Sequence, residues 1–299
     1  MLTSNYSHSC LLGRLKQLVL SRNVLFATFD SKFHFFSPVQ SSSSKLTFLK
    51  FSIIAEQRSS FFTVQKMSSS EKELYLSMSL EEKRKEYSIK GKPVTLDQVA
   101  TWPAYAVAQN FPPKSTDSRE FSVNGDHNQR ISIFRGDITS LEIDCIVNAA
   151  NKELQGGGGV DGAIHRAAGH NLLQSECRKL GGCDVGDAKI TGGYRLPARY
   201  IIHTVGPVGE KPDKLRSCYK RCLEVMKENQ LKSIAFPCVS TGIYHYPNDA
   251  AADVVLSTVR EWMDRDSYSK EVERIIFCLF MDEDVKCYHR LLPKYFPLE

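Results

Sequence analysis

From Arg130 onward the chain alternates between short apolar runs, which read as strands, and longer segments with helical spacing of their apolar positions. Strands are expected at Arg130–Phe134, Cys145–Val147, Ala188–Thr191, Tyr200–Val205, Ser233–Pro237 and Arg274–Phe280. Helices are expected at Ala163–Ala168, Leu172–Leu180, Leu215–Glu228, Ala250–Met263 and Val285–Leu292. In Leu215–Glu228 the residues Leu215, Cys218, Tyr219, Cys222, Leu223 and Met226 share one stripe, which is a core-facing pattern. The runs Ile201–Val205, Ile234–Phe236 and Ile275–Phe280 are apolar on both faces, as in the buried middle of a sheet covered by helices on each side. The expected fold class is therefore α/β: a three-layer α/β/α domain with a mixed, mostly buried central sheet. No internal repeat is present.

Upstream the texture differs. Residues 71–90 are charged and helical in pattern, while residues 91–128, with Pro93, Pro103, Pro112 and Pro113, read as loop. This divides the chain into 1–66, a segment of targeting character; 67–128, a charged helix and linker; and 129–299, the folded domain. The net charge of +5 is unevenly placed, because residues 1–66 hold eight Lys/Arg against Asp30 and Glu56. Residues 67–299 hold 31 basic and 32 acidic residues, so the footprint of a general nucleic-acid binder is missing and nucleic acid is not expected as the main partner. The N-terminal segment is rich in Ser (Ser41–Ser44 in a row) and begins with a basic amphipathic stretch, Leu11–Leu20. It reads as a mitochondrial-type transit peptide, since Arg14 and Lys16 interrupt any secretory apolar region. A product started at Met67 would instead be cytosolic or nuclear. The nine cysteines form no CxxC pair and read as reduced core residues. No cluster has metal-ligand spacing, so neither metal nor cofactor is expected. No apolar run approaches the roughly 18 residues of a membrane span.

The strongest local signal is Gly156-Gly157-Gly158-Gly159-Val160-Asp161-Gly162-Ala163-Ile164-His165. Consecutive glycines ahead of a helix let backbone N–H groups approach an anion, and the helix N-terminus adds positive potential. The run formally contains Gly157-x-Gly159-x-x-Gly162, but Asn148–Gln155 separate it from its strand, unlike a Rossmann turn. A second loop, Ser240-Thr241-Gly242-Ile243-Tyr244, follows the strand Ser233–Pro237 and offers hydroxyls and N–H groups at a strand's C-terminal end. Two such loops suggest a diphosphate bridged between them. Asn148 and Asn151, after the strand Cys145–Val147, present amides suited to sugar hydroxyls, or to an ordinary turn. Asp137 either accepts from an exocyclic amine or caps a short helix.

These motifs together resemble the macrodomain family. Arg135–Thr139, Ile146–Asn151, Gly156–Ala168 and Ser240–Tyr244 occur in the family's order. The similarity is strongest to MacroD-type mono-ADP-ribosyl hydrolases, through the Gly156–His165 run, Leu196–Pro207 and Arg274–Phe280. It covers about Leu74–Tyr87 and all of 129–299. The resemblance implies that Asp137 and Ile138 hold adenine and that Phe280 packs on the adenosine. It places Gly157, Gly158, Gly159 and Val160 on the diphosphate, with Ser240, Thr241, Gly242, Ile243 and Tyr244 opposite. It makes Asn151, Asp161 and His165 the catalytic set at the distal ribose, and Asn148 a substrate contact. Asp161 and His165 stand four apart on a helix and so share a face.

The activity implied is hydrolysis of the ester between ADP-ribose and a Glu or Asp side chain, with Asp161 activating or orienting water. O-acetyl-ADP-ribose is expected as a further substrate. Partners would be ADP-ribose and mono-ADP-ribosylated proteins. The rival class is a non-catalytic ADP-ribose reader, which commonly lacks the Asp161/His165 pair. One departure is His245, where the subfamily usually continues with Gly; an altered loop with retained activity is expected.

Overall fold

The computed structural model describes residues 70–111 and 121–299. The expected transit segment, 1–66, lies outside the described residues, and so does the Met67 start. Among the described residues no helix is long and apolar enough to cross a membrane. The described residues open with helices α1 (Glu71–Ser77) and α2 (Leu80–Glu86), where a single charged helix was expected. The break has a local cause. Ser79 accepts from the Glu82 N–H while the Glu82 carboxylate accepts from the Ser79 N–H, a capping box that starts a new helix.

The stretch read as loop also holds structure: β1 (Val94–Thr95), α3 (Trp102–Ala108) and α4 (Gly125–Arg130). Pro103 does not oppose α3, because it stands in the first turn, where its missing N–H has no helical partner to lose. The remaining elements run β2 (Ile131–Arg135), β3 (Leu141–Glu142), β4 (Cys145–Ala149), α5 (Gly159–Ala168), α6 (His170–Leu180), β5 (Ala188–Gly192) and β6 (Tyr200–Thr204). They finish with α7 (Pro212–Glu228), β7 (Ser233–Phe236), α8 (Asn248–Arg265), β8 (Arg274–Leu279) and α9 (Asp282–Tyr295).

Six strands form one sheet in the order β2-β8-β7-β4-β6-β5, all parallel except the edge strand β5, so the sheet is mixed as expected. Successive residues of the inner strands supply two separate cores. Ile275, Phe277 and Leu279 of β8 pack with α3, α7, α8 and α9, while Ile276 and Cys278 pack with α5 and α6. In β4, Cys145 and Val147 face the first layer and Ile146 the second. This alternation is why the strands look apolar at every position: both faces are covered. The eight described cysteines are all free, and seven of them are buried. The parallel strands point their C-terminal ends to one edge of the sheet. There the loops after β4, β6 and β7 converge, which is where open α/β sheets place ligands.

Candidate functional site

A cleft of about 300 Å³ opens at that edge. Its lining comes from the end of β4 (Ala149–Asn151), the glycine loop into α5 (Gly157–Asp161), Gly206 after β6, and the loop after β7 (Cys238, Val239, Ser240, Gly242, Ile243 and Tyr244). The two loops singled out in the sequence thus form opposite walls. Ile243, 69% exposed, reaches across to the other wall: a Cβ on Gly158 would lie 3.2 Å from its Cδ1. Ser240 adopts a left-handed φ of 70°, and its buried hydroxyl has no hydrogen-bond partner. A buried, unsatisfied donor in a cleft wall is available to a ligand.

Asp161 lies in the first turn of α5, at the cleft, and is buried. Its Oδ1 accepts from Asn148 Nδ2 at 2.7 Å, and Asn151 Nδ2 stands 3.4 Å from Oδ2. Burial raises the Asp161 carboxyl above its ordinary value, opposed by the Asn148 bond and by the Gly157 backbone. Asn148, expected as a substrate contact, is wholly buried and is a partner of the carboxylate. The local backbone makes this placement possible. A Cβ on Gly162 would stand 2.2 Å from the Gly157 carbonyl oxygen, so the loop and the helix touch where only hydrogen fits.

His165 shares the face of Asp161, as the spacing predicts, with Nε2 3.5 Å from Oδ1. The two are not hydrogen-bonded, since both ring nitrogens of His165 are without partners. Burial, and secondarily the charge of His170, pushes His165 down to about 4, so the ring is neutral in the neutral pH range. The carboxylate is therefore oriented by Asn148, and His165 contributes an uncharged buried wall behind it.

The other expected residues are spread along the same edge. Asp137 caps the 3-10 turn Ile138–Ser140, accepting from the Thr139 N–H and hydroxyl on Oδ1. Ile138 is buried in the second core, and its carbonyl accepts from the Leu141 N–H. Phe280 is 74% exposed just beyond β8. Thr241 turns out of the cleft, donating to the Cys238 carbonyl. His245 takes a left-handed φ of 53°, the conformation for which glycine is suited and which costs another residue roughly 1–2 kcal/mol.

Residues 147–255 match the Macro domain family. A relative, ADP-ribose glycohydrolase MACROD1 of Rattus norvegicus, is 54% identical over 177 residues, which are 57% of this chain and 67% of that one. The chain belongs to the macrodomain family. It is also similar to ADP-ribose glycohydrolase MACROD2 of Homo sapiens, 47% identical over 235 residues, or 77% of this chain. Those residues span only 54% of the human relative's length. Among solved structures, the macrodomain of Trypanosoma brucei in complex with ADP-ribose superposes with a TM-score of 0.63 at 36% identity, covering 76% of this chain and 88% of that one.

Behind this macrodomain's cleft His165 joins a buried polar group whose other members, Cys177 and His203, were not among the expected site residues. His165, Cys177 and His203 bring donor atoms within 4.8 Å of one another. Burial pushes the Cys177 thiol up to about 12 and His203 down to about 3, so all three are neutral near pH 7. Ligating a metal would require a thiolate here and would break the 2.8 Å contact of His203 Nε2 with Thr191 Oγ1. The sequence did carry a signal for His203: it is the one histidine in the apolar strand Tyr200–Val205. A buried histidine inside a strand needs partners, and those partners are informative.

Proposed function

We propose that this chain is a mono-ADP-ribosyl hydrolase that releases ADP-ribose from Glu or Asp side chains of modified proteins. The observation that carries this reading is the buried Asp161 carboxylate at the cleft, held by Asn148 and raised above its ordinary value by burial. A reader would need the two loops; it would not need a carboxylate kept basic beside them. The activity for which the rat and human relatives are named and the ADP-ribose held by the T. brucei macrodomain support the same assignment.

In this reading the glycine loop and Ser240–Tyr244 take the diphosphate between them, with the free Ser240 hydroxyl as one donor. Asp137 and the Ile138 backbone receive adenine, with Phe280 against the adenosine. Asn151 positions the distal ribose. Asp161 takes a proton from water as the water oxygen attacks either the ribose carbon or the ester carbon. At the ribose carbon the C–O bond breaks to release the Glu or Asp carboxylate; at the ester carbon the C–O bond breaks to release the ribose oxygen, which is then protonated. A positioned base contributes roughly 10²- to 10⁴-fold. The ester of O-acetyl-ADP-ribose fits the same chemistry.

The test is release of free ADP-ribose from a Glu-mono-ADP-ribosylated protein by the full-length chain, beside Asp161→Ala. Release by the parent and a loss of two or more orders of magnitude in the variant is the expected result. Tight ADP-ribose binding without release would make the protein a reader.

A further inference from the structure

We propose that His203 is a positioning residue for the hydrolytic site, setting through Asn148 which atom is turned toward Asp161. This rests on the assignment of Asp161 to the reaction.

Asn148 and His203 are direct neighbours across the β4–β6 pair and point to the face covered by α5 and α6. Nδ2 of Asn148 lies 2.7 Å from Asp161 Oδ1 and 3.1 Å from His203 Nδ1, so both of its hydrogens are used. Its Oδ1 is buried and has no partner. Only the two contacts on Nδ2 therefore distinguish the amide from its flipped form, which would aim an oxygen at the carboxylate. The flip is excluded as long as His203 Nδ1 is an acceptor.

That in turn depends on the far side of the ring. Thr191 Oγ1 stands 2.8 Å from His203 Nε2, and its own hydroxyl donates to the Gly192 carbonyl at 3.3 Å. In the proposed arrangement the Thr191 hydroxyl gives its proton to Gly192 and accepts from Nε2–H, beside which Cys177 Sγ stands 4.0 Å away, and Nδ1 is left bare. The donors then run in one direction: Nε2–H of His203 to Thr191, whose hydroxyl gives to Gly192, and Nδ2 of Asn148 to both His203 Nδ1 and Asp161. If the ring carried its proton on Nδ1, the amide would turn and present a lone pair to Asp161. A chain of buried bonds of this kind orients its last member more strongly than any one pair.

Besides Asn148 and Asn151, Asp161 faces His165 on its own helix and interacts with Cys177 on α6, while His170 and His203 stand against His165. His165, His203 and Cys177 stay neutral between about pH 5 and 9, so their titration does not mimic the effect below.

The full-length chain is compared with His203→Leu, His203→Gln and Thr191→Val. Three readouts are taken: ADP-ribose release against pH, ADP-ribose affinity, and the ¹³C titration of the Asp161 carboxyl. His203→Leu is expected to lower kcat about tenfold, as for a buried donor left unpaired, while ADP-ribose affinity changes little. Its acid limb and the Asp161 titration move to higher pH, because the Asn148 bond that favours the carboxylate is loosened. Gln offers one acceptor and one donor in place of the two ring nitrogens and recovers most of the turnover. Thr191→Val shifts the same readouts less far, and it stands in if His203→Leu does not fold. Unchanged kcat and titration in both His203→Leu and Thr191→Val would overturn the proposal. So would equal losses in Leu and Gln with no movement of the titration, which would make His203 a packing residue only. If the parent binds ADP-ribose but releases none, the hydrolase assignment fails, and the Asp161 titration in the same variants still decides the relay.

Discussion

At the scale of single residues, the role proposed for Asp161 opposes stability to activity. Burial favours its protonated form, so its folded value lies above that of the unfolded chain. The stabilising contribution of the protonated carboxyl is fully present below the unfolded value, near 4, and is lost as pH rises through the folded one. Turnover runs the opposite way, because a general base must be deprotonated. Between the ordinary carboxylate value and the raised one, kcat/KM is expected to climb while the melting temperature falls. Asp161→Asn, which cannot ionise, flattens both dependences and is expected to raise the melting temperature at neutral pH while abolishing turnover. A pH series of calorimetry beside initial rates checks this. If the acid limb of the parent were absent down to pH 4, the raised carboxylate would not be the base. His165 adds no limb of its own above about pH 5, since its ring is already neutral there.

At the scale of elements, the site depends on contact between the glycine loop and α5. Gly162→Ala would set a methyl 2.2 Å from the Gly157 carbonyl oxygen and 3.0 Å from Arg166 Nη1. The arginine end can move; the carbonyl is backbone of the cleft wall and cannot yield without moving Gly157 and Gly158 with it. The expected result is about tenfold weaker ADP-ribose binding by titration calorimetry, with a stability loss of roughly 1–3 kcal/mol. Unaltered affinity would show that this wall is not used. Much of this scale was legible in advance. The apolar runs located the strands of the large sheet, and the glycine run and the Ser240 loop face each other as their positions after strands implied. The side-chain partners were not legible. Spacing along α5 put His165 beside Asp161, yet the carboxylate is held by Asn148 from a different element, reached only once β4 packs against the helix. The Asn148–His203–Thr191 chain crosses three strands whose order, β4-β6-β5, no local pattern contains.

At the scale of the whole molecule, the stretch before β2 is where reading and structure part. Residues 91–128, scattered with proline, look like a linker. Yet Val99 and Trp102 are buried in the two cores on opposite faces of the sheet. Proline counts mislead here because one of them, Pro103, sits in a helix's first turn, and because a short helix shows little periodicity before its tertiary partners are known. Trp102 ties this stretch to the end of the chain: it is fully buried, its Nε1 donates to the Phe296 carbonyl at 2.8 Å, and its ring meets Phe111 edge-on at 5.4 Å. Arg274, at the start of β8, donates to the Val99 carbonyl from the other side. A residue in a solvated linker would tolerate truncation within about 0.5 kcal/mol, whereas a core tryptophan costs about 3–5 kcal/mol. Trp102→Ala is therefore expected to lower the melting temperature by about 10 °C in a single transition, with ADP-ribose binding lost in that same transition and not before it. Two separated transitions, or a melting point within a degree of the parent, would return residues 91–111 to the status of a linker.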